Sequence, residues 1–202
     1  YMPFDVNHTY PGNVTYDYSN STNEALIKNN TFWNSTGFIG GAYELDTAGM
    51  GFIALNKTFF MGNDSAIAMW IKPMVLGADT NFFTLAGKIK WDIPANSQNT
   101  IQMDNNEVWI TCSNNLRRFT VSPAFSTGTW QHFVLAKNNS AGSSSATIIV
   151  YRNGVQVGVS NAPDFCVFDE IGASRSVDSG GAGIYGNGSI DEVMVFNRSV
   201  TA

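Results

Sequence analysis

Ten asparagines stand in the Asn-x-Ser/Thr pattern whose carboxamide nitrogen can take an N-linked glycan: Asn7, Asn13, Asn20, Asn29, Asn34, Asn56, Asn63, Asn138, Asn187 and Asn197. With 22 Asn and 34 Ser or Thr among 202 residues, random placement would produce about four such sites. The excess predicts a surface built to carry covalent N-linked glycans, and so an extracellular or cell-surface protein. Carboxylates are the second chemical resource. Asp169-Glu170 and Asp191-Glu192 are adjacent pairs, and neighbours in a regular strand point to opposite faces, where they cannot act together on one substrate. The two histidines, His8 and His132, have no Gly-x-Ser-x-Gly segment or reactive cysteine to complete a nucleophilic set. His132 reads instead as a half-buried strand residue. Among the aromatics, Trp91 falls in a loop-like Lys-Trp-Asp-Ile-Pro segment and is the candidate for stacking a sugar ring. Trp109, inside a predicted strand, is a weaker candidate, and Trp70 and Trp130 read as core or near-core.

Formal net charge is −5, only 13% of residues are charged, and Arg117-Arg118 is the one adjacent basic pair. Nucleic acid binding needs a row of phosphate-neutralising cations, which this chain lacks. Asn, Ser, Thr and attached sugar would keep so weakly charged a surface soluble. No run reaches the 18 apolar residues of a membrane span, and no signal peptide is visible. Cys112 and Cys166 have neither metal-cluster nor redox-pair spacing. In an oxidising compartment they read as one disulfide, the alternative being two buried free thiols.

The elements that must position these residues are strands. Period-2 apolar alternation marks 66–72, 82–89, 100–103, 107–112, 118–121, 130–137, 147–152, 155–159 and 190–197, and no stretch carries a convincing helical stripe. Asn153-Gly154 between two alternating runs predicts a type I′ hairpin, since both residues accept positive φ. Asn56, Asn63, Asn138 and Asn187 are expected in turns. The N-terminal stretch, crowded with sequons, is expected to be loop-rich. Short, even spacing of strands favours an antiparallel sandwich, with residues 1–202 as a single domain. The chain opens at Tyr1 in a predicted strand and stops just after another, as a processed form or a module of a larger surface protein would.

Four segments in order resemble the laminin-G-like, concanavalin A-like jelly-roll modules of secreted and cell-surface proteins. They are Met2-Pro3-Phe4-Asp5 with Asp17-Tyr18-Ser19; Gly40-Gly41-Ala42-Tyr43-Glu44-Leu45-Asp46; Ala66-Ile67-Ala68-Met69-Trp70-Ile71-Lys72 with Thr129-Trp130-Gln131-His132-Phe133 and the hairpin around Asn153-Gly154; and the closing Gly188–Arg198 segment, Gly-Ser-Ile-Asp-Glu-Val-Met-Val-Phe-Asn-Arg. The resemblance implies an all-β fold, a two-sheet antiparallel β-sandwich. It also implies one structural calcium ion, held by Asp191, a carbonyl at Gly41 and a group near Pro3–Asp5, for which Asp5 is the candidate. Related sandwiches that hydrolyse glycosides carry Glu-x-Asp-x-x-Glu on one strand. None of the five glutamates here (Glu24, Glu44, Glu107, Glu170, Glu192) sits in such a cluster, so no enzyme is expected.

The expectation is a non-catalytic, heavily N-glycosylated extracellular module for adhesion or structural assembly, with other surface proteins or copies of itself as partners. The alternative is a lectin-like module that binds carbohydrate. Because residues 82–125 lie in the longest sequon-free gap, between Asn63 and Asn138, the working surface is expected there.

Overall fold

The structure, a computed structural model, describes residues 1–7, 14–19, 23–46, 48, 50–62, 64–76, 83–87, 99–112, 115–139, 146–161, 166–174 and 184–200. One antiparallel sheet has the order β1 (Val14–Tyr16), β2 (Glu24–Lys28), β5 (Phe52–Met61), β14 (Cys166–Ile171), β7 (Phe83–Gly87), β8 (Thr100–Met103), β9 (Glu107–Cys112), β10 (Asn115–Thr120). The other has the order β13 (Val155–Asn161), β12 (Thr147–Arg152), β11 (Gln131–Asn138), β6 (Ser65–Pro73), β17 (Gly188–Phe196), β4 (Ala42–Leu45), β3 (Thr31–Asn34). A short ladder, β15 (Ala173–Ser174) with β16 (Ile184–Tyr185), lies against β7. No helix occurs among the described residues, and the whole is a jelly-roll β-sandwich.

Alternation builds the core. Ile67, Met69 and Ile71 of β6, Phe133 and Leu135 of β11, and Ile148 and Val150 of β12 point inward. They meet Phe83 and Leu85 of β7, Ile101 and Met103 of β8, and Val108 and Ile110 of β9. Each large side chain withdrawn from water contributes about 1.5–3 kcal/mol. Cys112 and Cys166 form a disulfide with Cα atoms 4.9 Å apart, tying β9 to β14 inside this core. At the β12–β13 turn, Asn153 (φ 51°) and Gly154 (φ 79°) adopt the positive φ pair that a type I′ hairpin requires.

Two expectations need correction. The N-terminal stretch is not merely loop: it supplies β1, β2 and β3, whose runs of three to five residues are too short to show a period. Asn56 lies within the ten-residue β5, on a strand whose Asn-Lys-Thr centre masks the alternation, and Asn138 is the last residue of β11, so neither is in a turn. Asn29 does sit in a turn, between β2 and β3, with φ 53°.

Candidate functional site

β14 reads Cys-Val-Phe-Asp-Glu-Ile, and Phe168 and Ile171 both point into the core although three positions separate them. The ladder slips at this point, because Phe168 pairs with Phe59 and Glu170 with Ala54. The surplus residues are on β5, which takes five steps where β14 takes two, and at this irregularity Asp169 and Glu170 are both left off the core side. The expectation of opposite faces fails here, since a bulge breaks the period of two. Glu170 heads a row across the outer face of the eight-stranded sheet, through Gly87, Thr100 and Thr111 to Leu116. The adjacent row runs Thr84, Gln102, Trp109, Arg118.

These rows are polar yet closed off. Thr100, Gln102 and Glu170 are each no more than 5% exposed, Thr84 is fully buried, and Asn99, just before β8, is 3% exposed and accepts from Val167 N. Asn99 Nδ2, Thr100 Oγ1 and Gln102 Nε2 have no hydrogen-bond partner among the described residues, nor has the hydroxyl of Tyr185. Burial raises the pKa of Tyr185, and the nearby Glu170 carboxylate adds to the rise. At the open end Arg118 lies over the Trp109 ring at 4.1 Å and pairs with Glu107 at 2.5 Å. Trp109 Nε1 donates to the same Glu107 oxygen at 2.9 Å. Hydrogen bonding from Arg118 holds the Glu107 carboxyl below the ordinary range. The arrangement offers a flat indole–guanidinium edge beside buried amide and hydroxyl groups, the combination that suits a polyhydroxylated ring. Sequence reasoning had placed Trp109 second and missed Gln102, Thr100 and Glu170. The signal was a strand with polar residues where a one-sided sheet should show ordinary solvent-facing alternation. Trp91 lies outside the described residues.

The second Asp-Glu pair sits on β17, again between core residues three positions apart, Ile190 and Val193, where the ladder with β6 slips. Asp191 is fully buried: Oδ2 accepts from Phe38 N (3.0 Å) and Ile39 N (3.1 Å), and Oδ1 accepts from Glu192 N (2.8 Å). Glu192 (φ 53°) accepts from the Tyr1 hydroxyl, and Val193 exchanges two backbone bonds with Met2. Here too the two carboxylates leave the core side together. The sequence-predicted calcium ligands converge on the 37–41 turn. A Cβ on Gly37 would lie 2.3 Å from the Gly41 carbonyl oxygen and 2.9 Å from Asp191 Oδ2. One on Gly40 would lie 2.1 Å from Asp5 Oδ1. No three His, Cys, Asp or Glu side chains gather as a metal site among the described residues. Two carboxylates and a carbonyl are nonetheless the all-oxygen set a hard cation takes, so the residues fit. Burial pushes the Asp191 carboxyl up to about 6.

The turn that Asp191 anchors lays Phe38 on Trp70, ring centroids 3.3 Å apart, with Trp130 at its edge and His132 5.0 Å from Trp70. Trp70 is thus not core. It pairs with Asp191 and His132 and so faces outward on the seven-stranded sheet, half-buried under Phe38. Burial lowers the pKa of half-buried His132, favouring the neutral ring. Beyond it Ala68, Val134, Tyr151, Met194 and Phe196 line an apolar trough of 190 Å³.

A family model for the concanavalin A-like lectin/glucanase superfamily, of the laminin G type, matches residues 47–202. The chain belongs to that superfamily. No curated protein matches this concanavalin A-like chain. Among solved structures it is similar to domain 4 of an extracellular arabinanase from Geobacillus stearothermophilus, determined with arabinotriose. There the identity is 21% and the TM-score 0.58, over 99% of this chain and 92% of that one. It is also similar to a botulinum neurotoxin type C structure described with two ganglioside molecules, at 12% identity and TM-score 0.62. That match covers 92% of this chain but 46% of the neurotoxin chain, so the sandwich spans less than half of that relative. A heptameric pentraxin from Limulus polyphemus matches at 14% identity and TM-score 0.52, over 71% of this chain and 70% of that one. At these identities the likeness establishes the concanavalin A-like fold.

Proposed function

We propose that the chain is a non-catalytic, extracellular, N-glycosylated adhesion module that holds carbohydrate on the outer face of the eight-stranded sheet, at β7–β10 and the β14 bulge. The observation that carries this reading is the set of buried polar atoms on Asn99, Thr100 and Gln102 with no partner among the described residues, beside Trp109 and Arg118. A buried donor left unmade costs about 1–3 kcal/mol, and such exceptions in folded proteins mark a water, ion or ligand position. Strands β7–β10 lie in the sequon-free gap between Asn63 and Asn138, although β14 does not. Structures of the same fold described with arabinotriose and with gangliosides support a sugar as the ligand class.

One calcium ion, held by Asp191, the Gly41 carbonyl and Asp5, is proposed as structural. It would neutralise the Asp191 charge and pin the N-terminal segment to β17. A second reading, assembly with another surface protein or a second copy, has its own observation. Phe38 and Ile39 are 43% and 53% exposed on the seven-stranded face, next to the apolar trough.

Binding of neutral oligosaccharides, arabinan-derived ones first, by titration calorimetry tests the primary reading. Gln102→Ala and Trp109→Ala should each weaken binding about fivefold or more without changing the fold. Equal affinity in both variants, or no binding at millimolar sugar, would sink it.

A further inference from the structure

The seven-stranded sheet carries one more surface that neither reading uses. Phe32, Glu44, Ser189 and Lys72 stand in a single register row across β3, β4, β17 and β6. They line a shallow groove of 410 Å³ that Met74, Asp46 and Asn187 close at one end. Phe32 is 54% exposed, and β3 is the outermost strand of its sheet. An apolar ring on an open sheet edge is an invitation to unwanted pairing unless something covers it. Two residues along, on the same face of β3, is the sequon asparagine Asn34. Its Nδ2 atom, the one a glycan would be attached to, donates to Glu44 Oε1, and Glu44 lines the groove. Thr36 holds the other end of the carboxamide, donating to Asn34 Oδ1 from its backbone N (2.9 Å) and its hydroxyl (2.7 Å). The carboxamide is thereby oriented so that its nitrogen faces Glu44 and the groove beyond.

We propose that the groove is a cradle for the glycan on Asn34, with the first pyranose rings lying on Phe32 and their hydroxyls meeting Glu44, Ser189 and Lys72. The chemistry matches on each side: an apolar sugar face on an aromatic ring, and hydroxyls against a carboxylate, a hydroxyl and an ammonium. In the attachment, Nδ2 of Asn34 bonds to the anomeric carbon of a lipid-pyrophosphate-linked oligosaccharide. The carbon–oxygen bond to pyrophosphate breaks, lipid pyrophosphate leaves and Nδ2 loses one proton. An exposed strand edge would then be closed by the protein's own sugar rather than by another chain. The inference rests on the reading that the sequons are glycosylated, and not on carbohydrate binding at the eight-stranded face.

The test is a thermal double-mutant cycle on protein from a glycosylating host, with site occupancy read by glycopeptide mass spectrometry. Thr36→Val removes the sequon while keeping Asn34 beside Glu44, and should lower Tm by about 2–4 °C. In a Phe32→Ser background the same change should do nothing further, and Phe32→Tyr should restore the loss. Proton NMR of the occupied protein should show upfield shifts of sugar ring protons that vanish in Phe32→Ser. Occupied Asn34 with additive effects would overturn the cradle and leave glycosylation standing. Coupling of Phe32 to Asn187→Gln instead would overturn the assignment to Asn34, as would an empty Asn34 beside occupied sequons elsewhere. Empty sequons throughout would remove the glycosylation reading itself.

Discussion

The same dipeptide, Asp-Glu, stands where the ladders of β14 and β17 slip, but the slips differ: β17 carries one extra residue against β6, whereas β5 carries three extra against β14. On β17, Asp191 accepts from three backbone N–H groups and Glu192 takes the Tyr1 hydroxyl, so the bulge clamps the N-terminal segment and the 37–41 turn to the sheet. On β14, Asp169 and Glu170 are buried on a face whose neighbours, Thr100 and Gln102, hold polar atoms with no partner among the described residues. Both irregularities leave two carboxylates off the core side, and what surrounds them differs. Backbone donors satisfy a carboxylate locally and permanently. A sheet face with side-chain amides and hydroxyls leaves capacity for a guest.

The most severe way to disturb the contrast is to free β14 from the core. Replacing Cys112 and Cys166 with alanine opens a link between positions 54 apart, and should cost about 4 kcal/mol on a chain-entropy basis. Chemical denaturation of the oxidised and variant proteins measures this, and a difference under about 1 kcal/mol would mean the disulfide does not brace that bulge.

Removing each carboxylate sharpens the contrast directly. Asp191→Ala orphans three N–H groups, one buried and two partly buried, and should cost about 3 kcal/mol, with little effect on sugar affinity. Glu170→Gln keeps the side chain's shape and should cost under about 1 kcal/mol while weakening sugar binding. If the two stability costs were equal, both bulges would be structural and the contrast would vanish.

The remaining effect is in pH. With the Asp191 carboxyl at about 6 in the folded chain, above its ordinary unfolded value, the protonated form is favoured by folding. Its contribution to stability is fully present below about pH 4, declines as pH rises to about 6, and is constant beyond, a loss of about 3 kcal/mol. Calcium at this carboxylate would hold it ionised and flatten the decline. Melting curves from pH 4 to 7, with chelator and with calcium, check both points. Identical curves would remove the calcium proposal, and a flat curve in chelator would remove the buried-charge account.

Much of this architecture was legible in the chain. The strands β8, β9 and β12 fall on the predicted residues, because hydrophobic alternation alone marks a strand with one face in the core. β14 was not legible: Val167-Phe168 and the Asp-Glu step break the alternation, and the bulge responsible is visible only when both neighbouring strands are in place. Trp70 misled for a related reason. Alternation assigns a tryptophan to a strand but not to a face, and only the register with Asp191 and His132 puts it outside, under Phe38.

What the sequence by itself determined is what local chemistry encodes: the strands, the Asn153-Gly154 hairpin, the absence of a cationic surface and the ten sequons. The all-oxygen trio Asp5, Gly41 and Asp191 came from resemblance, and folding is what brings it around one turn. Only the tertiary structure decided which Asp-Glu pair is clamped, which polar row is buried, and that Asn34 points at Phe32's groove. Those outcomes depend on register between strands far apart in the chain, and a shift of one residue exchanges the two faces of a sheet.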